Sequence, residues 1–126
     1  MTRDPDAVPP QIFAPIRQAR SYRHCFRQLG ADLIVLLGDY SAGHKFVTAP
    51  VDSADWSAAL AELKAPLGVH AILGNHDWWD DKSAQANGAG PVYGRLALEK
   101  VGIPVYENDA VRLNKDGQPF WLAGLG

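Results

Sequence analysis

The stretch Ala31-Asp32-Leu33-Ile34-Val35-Leu36-Leu37-Gly38-Asp39-Tyr40 decides the fold. Residues 33–37 are apolar without interruption, the pattern of a strand covered on both faces of a sheet, and Val and Ile favour the extended state. Gly38 then lets the backbone turn tightly and approach a ligand. Asp39 follows at the carboxyl end of the strand, the edge at which open α/β sheets hold their ligands. The same grammar returns in Val69-His70-Ala71-Ile72-Leu73, broken by Gly74 and followed at once by Asn75-His76-Asp77. Two parallel strands would bring Asp39 and Asn75-His76-Asp77 to one sheet edge. Asp, Asn and His offer oxygen and nitrogen donors suited to Mg, Mn, Fe or Zn.

The chain between and around these stretches supports that topology. Residues 1–10 are Pro- and Asp-rich without periodicity and read as a loop. From about Ala14, the residues Ile16, Ala19, Tyr22, Phe26 and Leu29 recur at helical spacing, with Pro15 suited to a first turn and Gly30 to a stop. Arg17, Arg20, Arg23 and Arg27 fall between them and read as a solvated face, with His24 and Cys25 as packing or surface residues. Residues 41–53 read as a loop carrying His44. That histidine is five residues beyond Asp39 and is a candidate substrate contact as well as an ordinary exposed side chain. Ser53 is placed to cap a helix with Trp56, Ala59, Leu60 and Leu63 on one face, ended by Pro66 and Gly68. Strand, helix and strand then form a βαβ unit.

Beyond Asp77, Trp78 and Trp79 offer an apolar wall beside the motif, with Trp78 the candidate contact, or else cover the core of their own loop. Residues 83–91, rich in Gly and Ala, read as a flexible loop. Tyr93, Leu96, Ala97, Lys100 and Val101 trace a helix closed by Gly102 and Pro104, and Val105-Tyr106 a short strand. Residues 111–113 and 120–123 flank Asn114-Lys115-Asp116-Gly117, whose Asp-Gly signals a hairpin. His70 lies inside a strand and reads as a core or supporting residue.

The Gly38-Asp39 and Gly74-Asn75-His76-Asp77 motifs, each closing an apolar strand and about thirty-five residues apart, resemble those of the calcineurin-like metallophosphoesterases. The wider text is most similar to a bacterial branch of small phosphodiesterases in that family, cytoplasmic or peripheral to the membrane. The resemblance implies an α/β fold, part of a βαββα sandwich with parallel strands and flanking helices, over a single domain of residues 1–126. It implies hydrolysis of a phosphoester, in a small molecule or a lipid, with two divalent metal ions. Asp39 would bridge both ions, Asn75 would bind one through its amide oxygen, and His76 would stand over the phosphate with Asp77 holding its ring. Gly38 and Gly74 would permit the turns.

The family pattern also contains Asp-x-His before these blocks and Gly-His-x-His after them, and neither is present. With 126 residues the chain therefore reads as part of a longer domain, cut at both ends, with little activity of its own. A non-catalytic remnant acting as a binding or structural module is the rival reading. A nucleotide-binding domain is disfavoured because no Gly-x-Gly-x-x-Gly or P-loop follows a strand. A net charge of −2 gives no footprint for nucleic acid, no apolar run is long enough to span a bilayer, and nothing at Met1 resembles a signal peptide. The single Cys25 excludes an internal disulfide framework.

Overall fold

In the computed structural model, which describes residues 29–40 and 52–126, β1 (Ile34–Leu36) lies parallel to β2 (Val69–Ala71). The register pairs Ile34 with Val69, Val35 with His70 and Leu36 with Ala71. On the other side of β2, Ala71 bridges Val105 in parallel, so the expected third strand is reduced to a single bridge. The amide of Ala71 donates to the Pro104 carbonyl, and that of Tyr106 to the Ala71 carbonyl. The parallel sheet and the helices around it establish the α/β class expected from the two apolar stretches.

The connection from β1 to β2 carries α1 (Ser53–Leu60). Its cap is Asp52, whose carboxylate accepts from the Ala54 amide at 3.3 Å, one residue before the Ser53 expected to do so. Aspartate caps as well as serine, and the carboxylate adds a charge to the helix start. After β2 come α2 (Asn75–Trp79), α3 (Lys82–Asn87) and α4 (Tyr93–Lys100). The helix α3 corrects the loop expected over residues 83–91. Asp81 accepts from the Ala84 amide at 2.9 Å, the short Ala-bearing run favours helix, and Gly88 stops it in the left-handed conformation at φ 62°. The other oxygen of Asp81 accepts from the Tyr93 amide at 2.7 Å, tying α3 to the start of α4. These amides hold its carboxyl below the usual range.

Between the helices and one face of the sheet sits the core, with Ile34, Leu36, Leu63, Ala71, Leu73, Val92, Leu98, Ile103 and Val105 buried and Trp56, Leu60 and Trp78 packed against them. Leu98 and Val92 lose all contact with solvent. Truncating Leu98 to Ala would cost about 2–5 kcal/mol by lost burial and the cavity left behind.

The second face of the parallel sheet differs from expectation. Residues 33–37 read as covered on both sides, yet Val35 is 47% and Leu37 70% exposed. A hairpin of β3 (Asp109–Lys115) and β4 (Gln118–Gly124) lies beside that face. Its Asp116-Gly117 turn has positive φ at both residues, 52° and 81°, as the expected hairpin requires. Lys115 pairs with Asp32 ahead of β1, and Gly124 approaches Tyr106 and Ile72 so closely that a side chain there would meet the Tyr106 Cβ at 2.4 Å. Between hairpin and sheet a cavity of about 330 Å³ remains, lined by Val35, Leu37, Ile72, Leu122 and Leu125, among others. The apolar run predicts a covered strand because its composition is apolar throughout, whereas the hairpin covers the second face incompletely. His70 also lines this cavity. Its Nε2 lies 2.8 Å from the Leu67 carbonyl, which can only accept, so Nε2 donates, and in the neutral ring Nδ1 accepts from the Tyr106 hydroxyl at 2.8 Å. It is the supporting residue expected of it.

Most of the helix expected over residues 14–29 falls outside the described residues, as do Arg17, Arg20, Arg23, Arg27, His24, Cys25 and His44.

Tyr40 ends the β1 segment. It is buried, its ring stacks on Trp56 at 5.3 Å and 15°, and its hydroxyl donates to the carbonyls of Ile72 at 2.8 Å and Leu36 at 3.2 Å. Burial, and then the charge of Asp77, push its pKa far above the ordinary tyrosine value. The folded state therefore favours the neutral phenol. That stability is fully present below about pH 10 and is lost as pH rises toward the raised folded value. In urea unfolding from neutral pH to about pH 11, Tyr40→Phe should lose about 1 kcal/mol at neutral pH and show a shallower alkaline decline than the parent chain. An identical decline in both would remove Tyr40 as its source.

Candidate metal and phosphate site

The two motif turns meet at the carboxyl edge of β1 and β2, as the parallel topology requires. Gly38 has φ 97°, and a Cβ on it would lie 2.2 Å from the Gly74 amide nitrogen. A Cβ on Gly74 would lie 2.2 Å from Oδ1 of Asp39. Real side chains never approach this closely, so each glycine is required by the other loop. Asp39 itself adopts φ 60°, a region that Asp and Asn tolerate better than most residues.

Asn75, His76 and Asp77 open the five-residue helix α2, with Gly74 as its N-cap. Asp77 occupies the third helical position, from which a carboxylate reaches back to the N-cap amide. It is almost wholly buried, at 2% exposure. Its Oδ2 accepts from the amides of Gly74 and Asp39, both at 2.8 Å, and its Oδ1 accepts from the Tyr40 amide at 2.7 Å. Three main-chain donors from two loops thus converge on one carboxylate. A return bond runs from the His76 amide to Oδ1 of Asp39 at 3.1 Å. The resemblance assigns Asp77 to the ring of His76; the contacts described here make it the joint between the loops.

The expected residues Gly38, Asp39, Gly74, Asn75, His76 and Asp77 are therefore gathered in one place. Asn75 is exposed, and Asp39 and His76 are half-buried. Trp78 points the other way. It packs against the core, and its ring would lie 3.3 Å from a Cβ on Gly90, so the wall expected of it is not where its side chain goes. The open tryptophan is Trp79, 59% exposed, whose ring meets that of His76 at 5.1 Å and 66° in an edge contact. Sequence reasoning missed Tyr40 as part of this architecture. Its signal was an aromatic with a polar tip directly after Gly-Asp, a residue that needs both a packing partner and an acceptor when buried.

Asp39 and Asn75 present the carboxylate and amide oxygens that a hard divalent cation prefers. No group of three His, Cys, Asp or Glu able to hold a metal occurs among the described residues. Two donors fall short of the three protein ligands typical of a catalytic centre, so the described residues do not by themselves form a metal site.

A parallel sheet whose strand ends deliver Asp39 and Asn75-His76-Asp77 to one edge defines a phosphoesterase-type α/β domain. The chain belongs to the calcineurin-like phosphoesterase family, whose model matches residues 15–122. No curated protein and no solved structure shows significant similarity to it.

Replacing Asp77 by Ala strands three amides at the loop joint, and the expected loss is about 3 kcal/mol or more. Asp39→Asn keeps an acceptor for the His76 amide and tolerates the positive φ, so its cost should stay below about 1 kcal/mol. Denaturant unfolding of the two variants checks the contrast. Equal losses would mean that Asp77 is not the joint.

Proposed function

We propose that the chain carries the phosphate-handling edge of a metal-dependent phosphoester hydrolase. The observation that carries this reading is the convergence of Asp39, Asn75 and His76 on one edge, held by the buried carboxylate of Asp77. Family membership supports the reaction class, and the donor chemistry supports a hard divalent cation such as manganese or magnesium. A divalent pair, when bound, supplies charge neutralisation at the phosphoryl oxygens and an activated water.

The chain's own residues contribute three things. Asp39 offers a negatively charged oxygen donor at the sheet edge, Asn75 a neutral one from the first residue of α2, and His76 a ring nitrogen suited to exchange a proton with a leaving oxygen. The backbone of His76 is fixed by its bond to Asp39, so donor and imidazole are held in one frame. Such positioning is the protein's main share in phosphoryl chemistry. The substrate is a phosphoester of small-molecule or lipid type. No described helix is long and apolar enough to cross a membrane.

The shortage of ligands among the described residues favours a second reading, a phosphoesterase-like module that binds without turnover. The two separate in one titration. On the first reading the 126-residue chain binds Mn²⁺ weakly and hydrolyses an aryl phosphodiester slowly, with both properties reduced by Asp39→Asn and turnover alone reduced by His76→Ala. Hydrolysis that ignores chelator and both substitutions would overturn it. Undetectable turnover together with undetectable Mn²⁺ binding supports the second. Tight calorimetric binding of two Mn²⁺ per chain would contradict the expectation of a weak site.

A further inference from the structure

We propose, resting on the phosphoesterase reading of this site, that Trp79 is a substrate contact that receives the leaving group, and that the favoured esters are those of aromatic alcohols, whose flat ring stacks on the indole. The short helix α2 carries two consecutive tryptophans with different fates. Trp78 turns inward against the core, while Trp79 stays 59% exposed. Exposure alone carries little meaning, because single apolar side chains are common on protein surfaces. Position carries more. A long helical side chain lies over the turn ahead of its own Cα, and the indole of Trp79 accordingly sits over the first turn of α2, its ring meeting that of His76 at 5.1 Å and 66°. Asn75 and His76, two of the three groups gathered at the sheet edge, come from that same turn.

The reaction fixes where the leaving group must stand. In hydrolysis a water oxygen bonds to phosphorus as the ester P–O bond breaks, and the departing oxygen keeps the electron pair and takes a proton. With His76 as the proton donor, that oxygen lies about 3 Å from an imidazole nitrogen, and the carbon it carries begins one bond further on. The indole, centred 5.1 Å from the imidazole, borders that position. His76 meets at most one side of the indole, which at 59% exposure leaves an apolar face open to solvent. An alkyl chain gains little from a wall on one side only, since most of its surface stays wet. A flat ring covers a flat face and gains the offset-stacked contact besides. The indole also carries one N–H donor, which lies in the ring plane. A ring stacked on the face leaves that donor uncovered, so the contact strips no hydrogen bond from it. The backbone beneath is held by the side chain of Gln85, from α3, which donates to the carbonyls of Trp78, at 3.1 Å, and Trp79. The platform therefore stands in place before a ligand arrives, and binding has less to order.

The test reads binding of probes that cannot be hydrolysed and does not depend on turnover. Phenylphosphonate, cyclohexylphosphonate and methylphosphonate, in which a P–C bond stands where the ester bond would be, are titrated in the presence of Mg²⁺ into the full chain labelled with ¹⁵N at its indoles. Phenylphosphonate should bind about three- to tenfold more tightly than cyclohexylphosphonate, the range expected of an aromatic contact beyond apolar bulk. It should also displace the NMR signal of the Trp79 indole, identified by its loss in Trp79→Ala. In Trp79→Ala the phenyl preference should disappear, and in Trp79→Phe it should remain. Because Trp79 is largely exposed, the melting temperature of each variant should stay close to the parent.

Equal affinity of the parent for the phenyl and cyclohexyl probes would overturn the proposal, since the indole would then not select a flat ring. A phenyl preference that survives Trp79→Ala would overturn it as well, and so would a parent that binds none of the three. Methylphosphonate has no ring and reports the sheet edge alone. Its failure to bind beside a Trp79-dependent phenyl preference would count against the phosphoesterase reading and still support the aromatic contact.

Discussion

One buried carboxylate holds the functional edge together. Asp77 has lost nearly all contact with water, and an anion in that position is tolerated only when its oxygens are fully engaged. The engagement comes from the amides of Asp39, Tyr40 and Gly74, so the charge that is costly to bury is offset by donors that would themselves be costly to leave unpaired. Its place near the start of α2 adds the favourable field of the helix terminus. Around this joint the two glycines allow the main chains to touch, and the hydroxyl of Tyr40 closes the back of the turn onto the Leu36 and Ile72 carbonyls.

The joint also explains how the two faces of the sheet divide their work. Ile34, Leu36 and Ala71 face the helices and form the packed side that keeps β1 and β2 in register. The opposite side, with Val35, Leu37 and His70, is spanned by the hairpin at its two extremities, through Lys115 with Asp32 and through Gly124 against Tyr106. A hairpin fixed at both ends and open in the middle leaves the apolar cavity. The site therefore stands on a scaffold that is well packed on one face only.

Much of this was legible in the residues. Unbroken apolar runs ending in Gly-Asp and Gly-Asn-His-Asp specify parallel strands and a shared edge, and Asp116-Gly117 specifies the hairpin, because these signals are local and chemical. What stayed hidden was set by tertiary partners. Residues 83–91 show loop composition, but Asp81 and Gly88 act as cap and stop for a helix that their neighbours make worthwhile. The exposure of Val35 and Leu37 depends on how far a hairpin seventy or more residues later reaches across the sheet. The task of Asp77 was invisible because its partners are amides, which every residue has and no motif spells. Which of two adjacent tryptophans turns inward is likewise decided by the phase of α2, a helix of five residues too short for a period to show in the sequence.

That the joint is made of main-chain donors has a bearing on how such a domain changes over generations. Asp77 recognises the path of the backbone at positions 39, 40 and 74 through their amides alone. The exposed Asn75, which gives no donor to that joint, can thus be exchanged in a single step while the loops keep their course. The joint and the exposed edge are thus inherited through different residues, and a lineage that changes position 75 keeps its architecture standing.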